Sequence, residues 1–362
     1  MRVDRIEVEG YRSLRTLRLG LGRVTVIVGR NGTGKTNLYQ SLHLLSAAAR
    51  GSLARAIASE GGMGSLLWAG GRKKGPVRVS LSVRLEEWDY AIEFGLPEPT
   101  QSVFKYDPWI KTEMLRLHQQ DPPVTMLDRQ GPSAMVRDVN GRPTQVPLSL
   151  SHAESALVQI RDPERYPELE RVRRQMEAWR FYHAFETHAG APARQPQVGV
   201  TTPVLSADGR DLAAALVTIQ HIGDVEMLDR SIKVAFPGSE LDLNEDAHGL
   251  VRLSLEMPGL QRPLDTAELS DGTLRYLCLL AALLTPRPPA LLALNEPETS
   301  LHDGLLEPLG ELIARASRNS QVWVTTHSDT LADAIAKYSD PETVRLVMND
   351  GETCVEDQSL LD

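Results

Sequence analysis

The chain has 362 residues, of which 41% are hydrophobic and 24% charged, and its formal net charge is −9 at pH 7. This composition is that of a globular protein with enough apolar side chains for a sizeable core. A membrane-spanning protein is excluded, because the longest apolar run, Leu277 to Leu284, is far shorter than the ~20 residues that cross a bilayer. The amino terminus has no apolar signal segment, and two cysteines cannot build a disulfide framework. We therefore expect a cytoplasmic protein with no membrane partner.

The positive charge is concentrated at the start of the chain. Residues 1–75 contain 13 Lys and Arg against 4 Asp and Glu, a formal charge of +9, so the remainder carries −18. A basic segment in an acidic protein favours an anionic partner near that segment.

The first 95 residues have strand patterns and one helical pattern. Residues 24–28 are a β-branched run that ends at Gly29, which is typical of a buried strand entering a glycine-rich loop. Leucines at helical spacing follow the loop. The predicted elements are strands at 3–8, 14–19, 24–28, 77–85 and 88–94, with antiparallel alternation in the last two, and a helix at 36–49.

The next segment, residues 96–204, is rich in Pro, Gly and polar residues. We interpret it as a partly helical insertion with loops, and expect helices at 110–119 and 167–178.

Residues 205–362 alternate helical and strand patterns. Such alternation predicts a parallel sheet covered by helices on both faces. The predicted elements are helices at 212–222, 270–284, 304–316 and 329–337 and strands at 251–257, 290–294, 321–326 and 343–347.

The strongest chemical signal is the glycine-rich run between the strand at 24–28 and the helix at 36–49. It matches GxxxxGK[ST] in full, a pattern whose backbone amides and helix start hold phosphate oxygens. Lys35 is predicted to reach the β- and γ-phosphates of a nucleotide, and Thr36 to offer its hydroxyl to Mg²⁺. The predicted nucleotide-binding residues here are Arg30, Asn31, Gly32, Thr33, Gly34, Lys35, Thr36 and Asn37.

Three further motifs follow in the second half of the chain. Glu296 comes directly after an apolar strand, and His327 directly after the next strand, so both are expected at the carboxyl edge of the sheet. Ser270 is a good N-cap for a helix that continues with Asp271 and Gly272. Each motif is weak alone, but their order after the phosphate-binding loop is hard to obtain by chance.

With these motifs the sequence resembles the ABC-type ATPase heads of the RecF, SMC and OLD group, most closely the stand-alone AAA-type P-loop ATPases of bacteria. VEGYRSL and IVGRNGTGKTNL resemble the first strand and the Walker A motif, and ELSDGTLRYL the ABC signature. ALLALNEPETSLH resembles the Walker B motif with its D-loop, and VTTHS the switch histidine. The resemblance covers roughly residues 1–95 and 205–350.

The resemblance implies an α/β P-loop NTPase fold of the ABC-ATPase type. Residues 1–95 would form a mixed N-terminal ATPase lobe with antiparallel strands, 96–204 the insertion, and 205–362 a C-terminal ATPase lobe with a parallel core. ATP and Mg²⁺ would be held between the two heads of a homodimer.

Residue roles follow from the same resemblance. Lys35 and Thr36 of one protomer would face Ser270, Asp271 and Gly272 of the other. Glu296 would be the general base, His327 the sensor of the γ-phosphate, and Ser300 to His302 the D-loop, while Arg12 matches an arginine near the phosphates. Catalysis is thus assigned to Glu296, His327 and Lys35, and Mg²⁺ binding to Thr36 and Asn295.

Two positions depart from the pattern. Asn295 stands where an Asp usually helps to hold Mg²⁺, and Asp271 stands where transporters have Gly. The Q-loop is not identified: His183, Glu186 and Arg194 are candidates, and Gln159 is better interpreted as a surface residue.

Three interpretations of function stay open. The first is an ATPase of DNA repair, recombination or antiphage defence, with DNA as a partner and any nuclease or effector on a separate protein. The second, favoured by Asn295, is a slow nucleotide-gated switch that regulates such an effector. The third, a transporter ATPase subunit, is disfavoured because 236 residues separate Gly34 from Ser270, more than that compact subunit needs.

Overall fold

The computed structural model describes residues 2–71, 77–97, 104, 106–246 and 248–356. No helix in these ranges combines the length and the apolar character that crossing a bilayer requires. The chain forms two compact units. The first contains Met1–Gly22, Gly29–Trp179 and Val344–Asp362, and the second contains Arg23–Val28 and Arg180–Thr343.

The strands and helices of the described residues are numbered in chain order. The strands are β1 (Val3–Tyr11), β2 (Leu14–Gly20), β3 (Val24–Val28), β4 (Arg78–Leu85), β5 (Trp88–Gly95), β6 (Trp109–Leu117), β7 (Val124–Gln130), β8 (Ser133–Arg137), β9 (Pro143–Gln145), β10 (Arg180–Tyr182), β11 (Gln197–Val198), β12 (Glu240–Glu245), β13 (Leu250–Glu256), β14 (Leu264–Asp265), β15 (Leu291–Asn295), β16 (Gln321–Thr326), β17 (Glu342–Asn349) and β18 (Glu352–Val355). The helices are α1 (Lys35–Arg50), α2 (Leu53–Ser59), α3 (Met63–Leu66), α4 (Ala156–Gln159), α5 (Pro167–Glu177), α6 (Leu212–Ile222), α7 (Val225–Ala235), α8 (Asp271–Leu283), α9 (Leu306–Ala316) and α10 (Asp329–Tyr338).

The first unit is built on an antiparallel sheet with the strand order β2-β1-β4-β5-β6-β7-β8-β9. Burial alternates strictly along β4, where Val79, Leu81, Val83 and Leu85 point inward. This alternation is what one buried face of a sheet requires. It confirms the antiparallel strands predicted for the N-terminal lobe.

One prediction in this unit is wrong. The helix expected at residues 110–119 is the strand β6, which pairs with β5 and β7. The register between β5 and β6 shifts so that Phe94 faces Ile110 while Glu93 faces Thr112, leaving Lys111 as an extra residue. This bulge puts Ile110 and Glu113 on the buried side at a spacing of three, which imitates a helical period.

The core of the second unit is a parallel sheet with the strand order β10-β15-β16-β3. Every residue of β3, β15 and β16 is buried, as expected for central parallel strands. Apolar faces of α6, α8, α9 and α10 contribute to the same core. The parallel core predicted from the alternating pattern is confirmed, and the predicted bounds of α6 and β16 agree with the structure.

A second, antiparallel sheet in this unit has the order β11-β13-β12, with β14 also paired to β13. In the parallel sheet, Asn295 faces Thr325 and Val28 faces Thr326. The carboxyl ends of β15, β16 and β3 are therefore aligned, which places the residues that follow β15 and β16 at one edge.

Candidate nucleotide site

The glycine-rich loop lies between β3 and α1, as its motif requires. Gly32 and Gly34 have φ of 83° and 93°, in the left-handed region that favours glycine. Gly34 is the N-cap of α1, and a Cβ there would lie 2.1 Å from Thr353 Oγ1. Because Gly34 has no side chain, no cap from it competes with an anion for the first amides of α1. The loop is thus shaped as an anion-binding helix start.

Lys35, the first residue of α1, folds back over this loop. Its Nζ donates hydrogen bonds to the carbonyl oxygens of Gly29, at 2.7 Å, and Arg30, at 3.0 Å. Thr33 Oγ1 donates to the same Arg30 oxygen at 2.9 Å. Anionic phosphate oxygens are stronger acceptors for an ammonium than neutral carbonyls, so a nucleotide can take over these bonds. Of the other predicted residues, Arg30, Asn31 and Gly32 are exposed, and Thr36 and Asn37 are half-buried.

Arg12 lies in the turn between β1 and β2, in the same unit as the loop. Its guanidinium forms an ion pair with Glu60 and lies 3.4 Å from Asn37 Oδ1. Asn37 Nδ2 in turn donates to Ser13 Oγ at 2.9 Å. The turn that carries Arg12 is therefore fastened to the first turn of α1, which brings this predicted residue next to the phosphate-binding loop.

Three predicted site residues have strained backbones. Positive φ occurs at four non-glycine residues of the described chain, and three of them are Arg12 at 50°, Glu296 at 45° and Ser300 at 64°. Such conformations cost energy and cluster at functional sites. The strain thus coincides with the turn beside the loop, the end of β15 and the predicted D-loop.

Asn295 and Glu296 mark the carboxyl end of β15. Asn295 is buried, and its Oδ1 accepts a hydrogen bond from Thr325 Oγ1 at 2.8 Å. The Glu296 side chain is 28% exposed, and its backbone is held on both sides, by Thr325 O at 2.8 Å and by Arg275 Nη2 at 3.0 Å. The amide oxygen of Asn295 is thus already engaged, whereas the Glu296 carboxylate reaches solvent.

His327 follows β16 at the same edge. Its Nδ1 lies 3.9 Å from Glu296 Oε2 and 3.1 Å from Glu298 Oε1. Glu298 is a residue that sequence reasoning missed as a part of the site. Its side chain is only 5% exposed, and nothing in the sequence distinguishes a buried glutamate from the usual exposed one.

The signature motif begins α8. Ser270 Oγ accepts a hydrogen bond from the amide of Thr273 at 3.1 Å, which is the predicted N-cap. Asp271 is largely exposed in the first turn. A Cβ on Gly272 would lie 2.6 Å from the carbonyl oxygen of Ser300, so the signature and the predicted D-loop are in contact.

Arg194, named above as a Q-loop candidate, holds the signature instead. Its buried guanidinium donates to the carbonyl oxygens of Thr266, at 3.0 Å, and Leu269, at 2.7 Å. Its Nη2 donates to Asp271 Oδ1 at 2.8 Å. This arginine therefore ties the segment before α8 to the first turn of that helix and balances the charge of Asp271.

The other Q-loop candidates are placed differently. Gln159 forms hydrogen bonds with the backbone of the preceding segment. Its Oε1 accepts from Ser151 N at 2.7 Å, and its Nε2 donates to Glu154 O at 2.8 Å. His183 and Glu186 are exposed.

Binding of a metal ion at this site would depend on the phosphates of a bound nucleotide. No group of three or more His, Cys, Asp or Glu in the described ranges is arranged to hold a metal ion. An oxygen set made of the Thr36 hydroxyl, nucleotide phosphates and water fits Mg²⁺, which keeps several waters and takes few protein ligands.

Known proteins resemble the chain in sequence and in fold. The protein family described as "AAA domain, putative AbiEii toxin, Type IV TA system" matches residues 24–333. A crystal structure of an Smc head bound to the C-winged helix domain of ScpA is similar, with a TM-score of 0.56 and 17% identity over 98% of this chain and 97% of that chain. An SMC head domain from Thermotoga maritima is also similar, with a TM-score of 0.50 and 18% identity over 98% of both chains. At these identities the likeness shows the fold, that of a P-loop ATPase head. No curated protein matches the chain.

Proposed function

Because the chain belongs to this AAA-domain family and has the fold of SMC-type ATPase heads, we propose that it is an ABC-type ATPase that binds and hydrolyses ATP. The observation that carries the proposal is the complete phosphate-binding loop, with left-handed Gly34 before α1 and the Lys35 ammonium bound by loop carbonyls. A glycine-rich turn that served only as a connection would not need a buried lysine.

In the proposed reaction each residue has a defined task. Lys35 binds the β- and γ-phosphates, and Thr36 supplies a hydroxyl to Mg²⁺, which neutralises charge on the phosphates. Glu296 orients a water molecule and accepts its proton as the γ-phosphate is attacked. His327 donates a hydrogen bond to a γ-phosphate oxygen. The partly exposed carboxylate of Glu296 on a strained turn supports its role as the base.

We propose further that two copies of the chain enclose ATP, with Ser270, Asp271 and Gly272 of one copy facing the nucleotide of the other. The exposed Ser270 and Asp271 at the start of α8 support this arrangement, because a helix start in solvent can accept a phosphate from a second molecule.

A slower, switch-like ATPase is favoured by Asn295. A neutral amide adds no negative charge beside Mg²⁺, and its oxygen already accepts a hydrogen bond from Thr325. Under this second proposal ATP binding drives dimerisation, and a separate effector protein binds the dimer.

A role in DNA repair, recombination or antiphage defence, with DNA as the ligand of the basic segment, is the weaker part of the proposal. Several of the arginines there already have acidic partners, such as Arg5 and Arg18 with Glu7 and Arg15 with Glu352. Binding of duplex DNA at low salt with ATP present tests it, since phosphate contacts weaken steeply as salt rises. If the chain does not bind DNA at low salt, the proposal that remains is a separate effector protein as the partner.

Steady-state ATP hydrolysis by the purified chain in the presence of Mg²⁺ tests the main proposal, with Glu296→Gln as the matched variant. We expect hydrolysis by the wild type, and ATP binding without hydrolysis by Glu296→Gln. Equal rates of ATP hydrolysis in the two proteins would mean that Glu296 is not the base. An absence of ATP binding by both would overturn the assignment as an ATPase. Binding and dimerisation without turnover in the wild type would select the switch.

A further inference from the structure

Glu298, two residues after the proposed base, is the main partner of the switch histidine. Its Oε1 accepts hydrogen bonds from Thr326 Oγ1 at 2.5 Å and from the His327 amide at 3.0 Å, and it lies 3.1 Å from His327 Nδ1. The Glu296 carboxylate is farther from this nitrogen, at 3.9 Å. The Nδ1 side of the His327 ring therefore faces Glu298.

The Glu298 side chain is buried, and hydrogen-bond donors and a guanidinium surround it. A buried charge is tolerated only where hydrogen bonds and an opposite charge compensate the loss of water. The Thr326 hydroxyl and the His327 amide supply the hydrogen bonds. Arg275 supplies the charge: burial lowers the pKa of its guanidinium, and Glu298 is the strongest of the acidic groups that oppose this.

One oxygen of this carboxylate is still available. Among the described residues, Glu298 Oε2 and Arg275 Nε are both buried without a hydrogen-bond partner. An acceptor and a donor that are buried and unsatisfied in one neighbourhood are costly for stability alone, which points to a functional reason for keeping them.

The side of the ring that faces Glu298 decides what the other ring nitrogen can do. With Nδ1 toward this carboxylate, Nε2 lies on the opposite side of the ring, and the His327 side chain is 45% exposed. A carboxylate that faces Nδ1 can orient the ring, which leaves Nε2 to face a ligand.

We propose that Glu298 is a positioning residue for ATP hydrolysis: it holds His327 through Nδ1 so that Nε2 donates to the γ-phosphate. This inference rests on the proposed ATPase function. It assigns separate tasks to two neighbouring carboxylates, with Glu296 acting on water and Glu298 acting on the histidine.

Glu298→Gln tests the charge while keeping an oxygen that can accept the same hydrogen bonds. We expect nucleotide affinity and KM to stay within about twofold, and kcat to fall about 10- to 100-fold, as is usual when the partner of a functional imidazole is changed. Glu311→Gln is the matched control, because it makes the same change in a carboxylate of α9 that pairs with Arg230. We expect its kcat to equal that of the wild type. A kcat for Glu298→Gln equal to the wild type, or an equal loss in Glu311→Gln, would overturn the proposal.

Nitrogen NMR of histidine-labelled protein supplies a readout that does not need catalysis. The His327 signals are assigned by their loss in His327→Gln. We expect a protonated Nδ1 in the wild type and a change in the protonation pattern of the ring in Glu298→Ala. Unchanged His327 signals in that variant would overturn the inference whether or not the protein hydrolyses ATP. An absence of ATP hydrolysis by the wild type would instead count against the proposed function.

Discussion

At the scale of single residues, Lys35 is the most direct test of the phosphate-binding loop. Its ammonium bonds to Gly29 and Arg30 rather than to the apolar core, so Lys35→Ala should leave the fold intact. Hydrogen bonds to charged groups contribute about 1.5–3 kcal/mol each. We therefore expect ATP affinity to fall at least about tenfold. Titration calorimetry measures it, with the exposed Lys337→Ala as control. Unchanged affinity in a folded Lys35→Ala protein would exclude this loop as the nucleotide site.

Asn295 leads to a prediction about Mg²⁺. The amide accepts a hydrogen bond from Thr325 and brings no charge, so the metal would be held mainly by Thr36 and the nucleotide phosphates. Slow hydrolysis with a high Mg²⁺ requirement is expected. Asn295→Asp should lower the Mg²⁺ concentration for half-maximal hydrolysis by about tenfold. Superimposable Mg²⁺ curves for the two proteins would mean that Asn295 has no special role.

At the scale of elements, β6 and β7 are joined by a fully buried ion pair. Glu113 and Arg129 have no exposed side-chain surface, and their carboxylate and guanidinium lie 3.3 Å apart. The same carboxylate accepts hydrogen bonds from Tyr90 and from the amide of Ala156. This network ties the chain around the start of α4 to the sheet.

Removing one partner of this pair should be costly. Glu113→Ala leaves Arg129 buried and uncompensated, so we expect the free energy of unfolding to fall by about 3–5 kcal/mol. Asp89→Ala removes the partner of Arg84 on the neighbouring strands, where both side chains are about one third exposed. That loss should stay below about 1 kcal/mol. Urea unfolding measures both, and similar small losses would contradict the structural role of the buried pair.

The ion pairs of Glu170 in α5 predict that the stability of the protein depends on pH. Arg173, together with Arg174, lowers the pKa of Glu170 from 4.5 to about 2. A carboxyl group whose pKa is depressed by folding stabilises the native state above its unfolded pKa, and this contribution disappears as the pH falls toward 2. The difference in unfolding free energy between wild type and Glu170→Gln should therefore be constant above about pH 5 and shrink below it. The exposed Glu164→Gln serves as the control, and a difference that does not change between pH 5 and 2 would refute the expectation.

Elements whose apolar residues keep a regular helical or strand spacing were predictable from the sequence, whereas β6 was not. The bounds of α6 and β16 follow from apolar patterns that burial preserves. In β6 a bulge at Lys111 and an inward-facing Glu113 break the alternation that identifies a strand. Both features depend on neighbouring strands, which a single segment does not contain.

The site shows the same division. The positions of the loop residues and of the residues at strand ends were predictable because their motif and their element coincide. Glu298 and Arg194 act through burial and through contacts with distant segments, Arg194 bonding to residues more than 70 positions away. Neither has a local pattern that reports such contacts.

At the scale of the whole molecule, the proposed function requires two chains. Glu296→Gln should retain ATP and accumulate as a dimer, because the signature of each copy would close on an uncleaved nucleotide. Ser270→Arg in the same background should prevent this dimer, since a bulky cation replaces the hydroxyl at the start of α8. Sedimentation velocity with and without ATP measures the outcome. A monomer under all conditions in Glu296→Gln would count against the two-chain site.

Mixing two inactive variants tests the sharing of the site more sharply. Lys35→Ala damages the phosphate-binding loop and leaves the signature intact, whereas Ser270→Arg does the reverse. If each site combines the loop of one chain with the signature of the other, a mixed dimer contains one fully intact site and one doubly damaged site. Hydrolysis should then recover in an equal mixture to at most about half of the wild-type rate, because each mixed dimer has one working site of two. Recovery of activity only on mixing would require a composite site. If mixed dimers form, as seen by sedimentation, and remain inactive, the loop and signature do not act across the two chains.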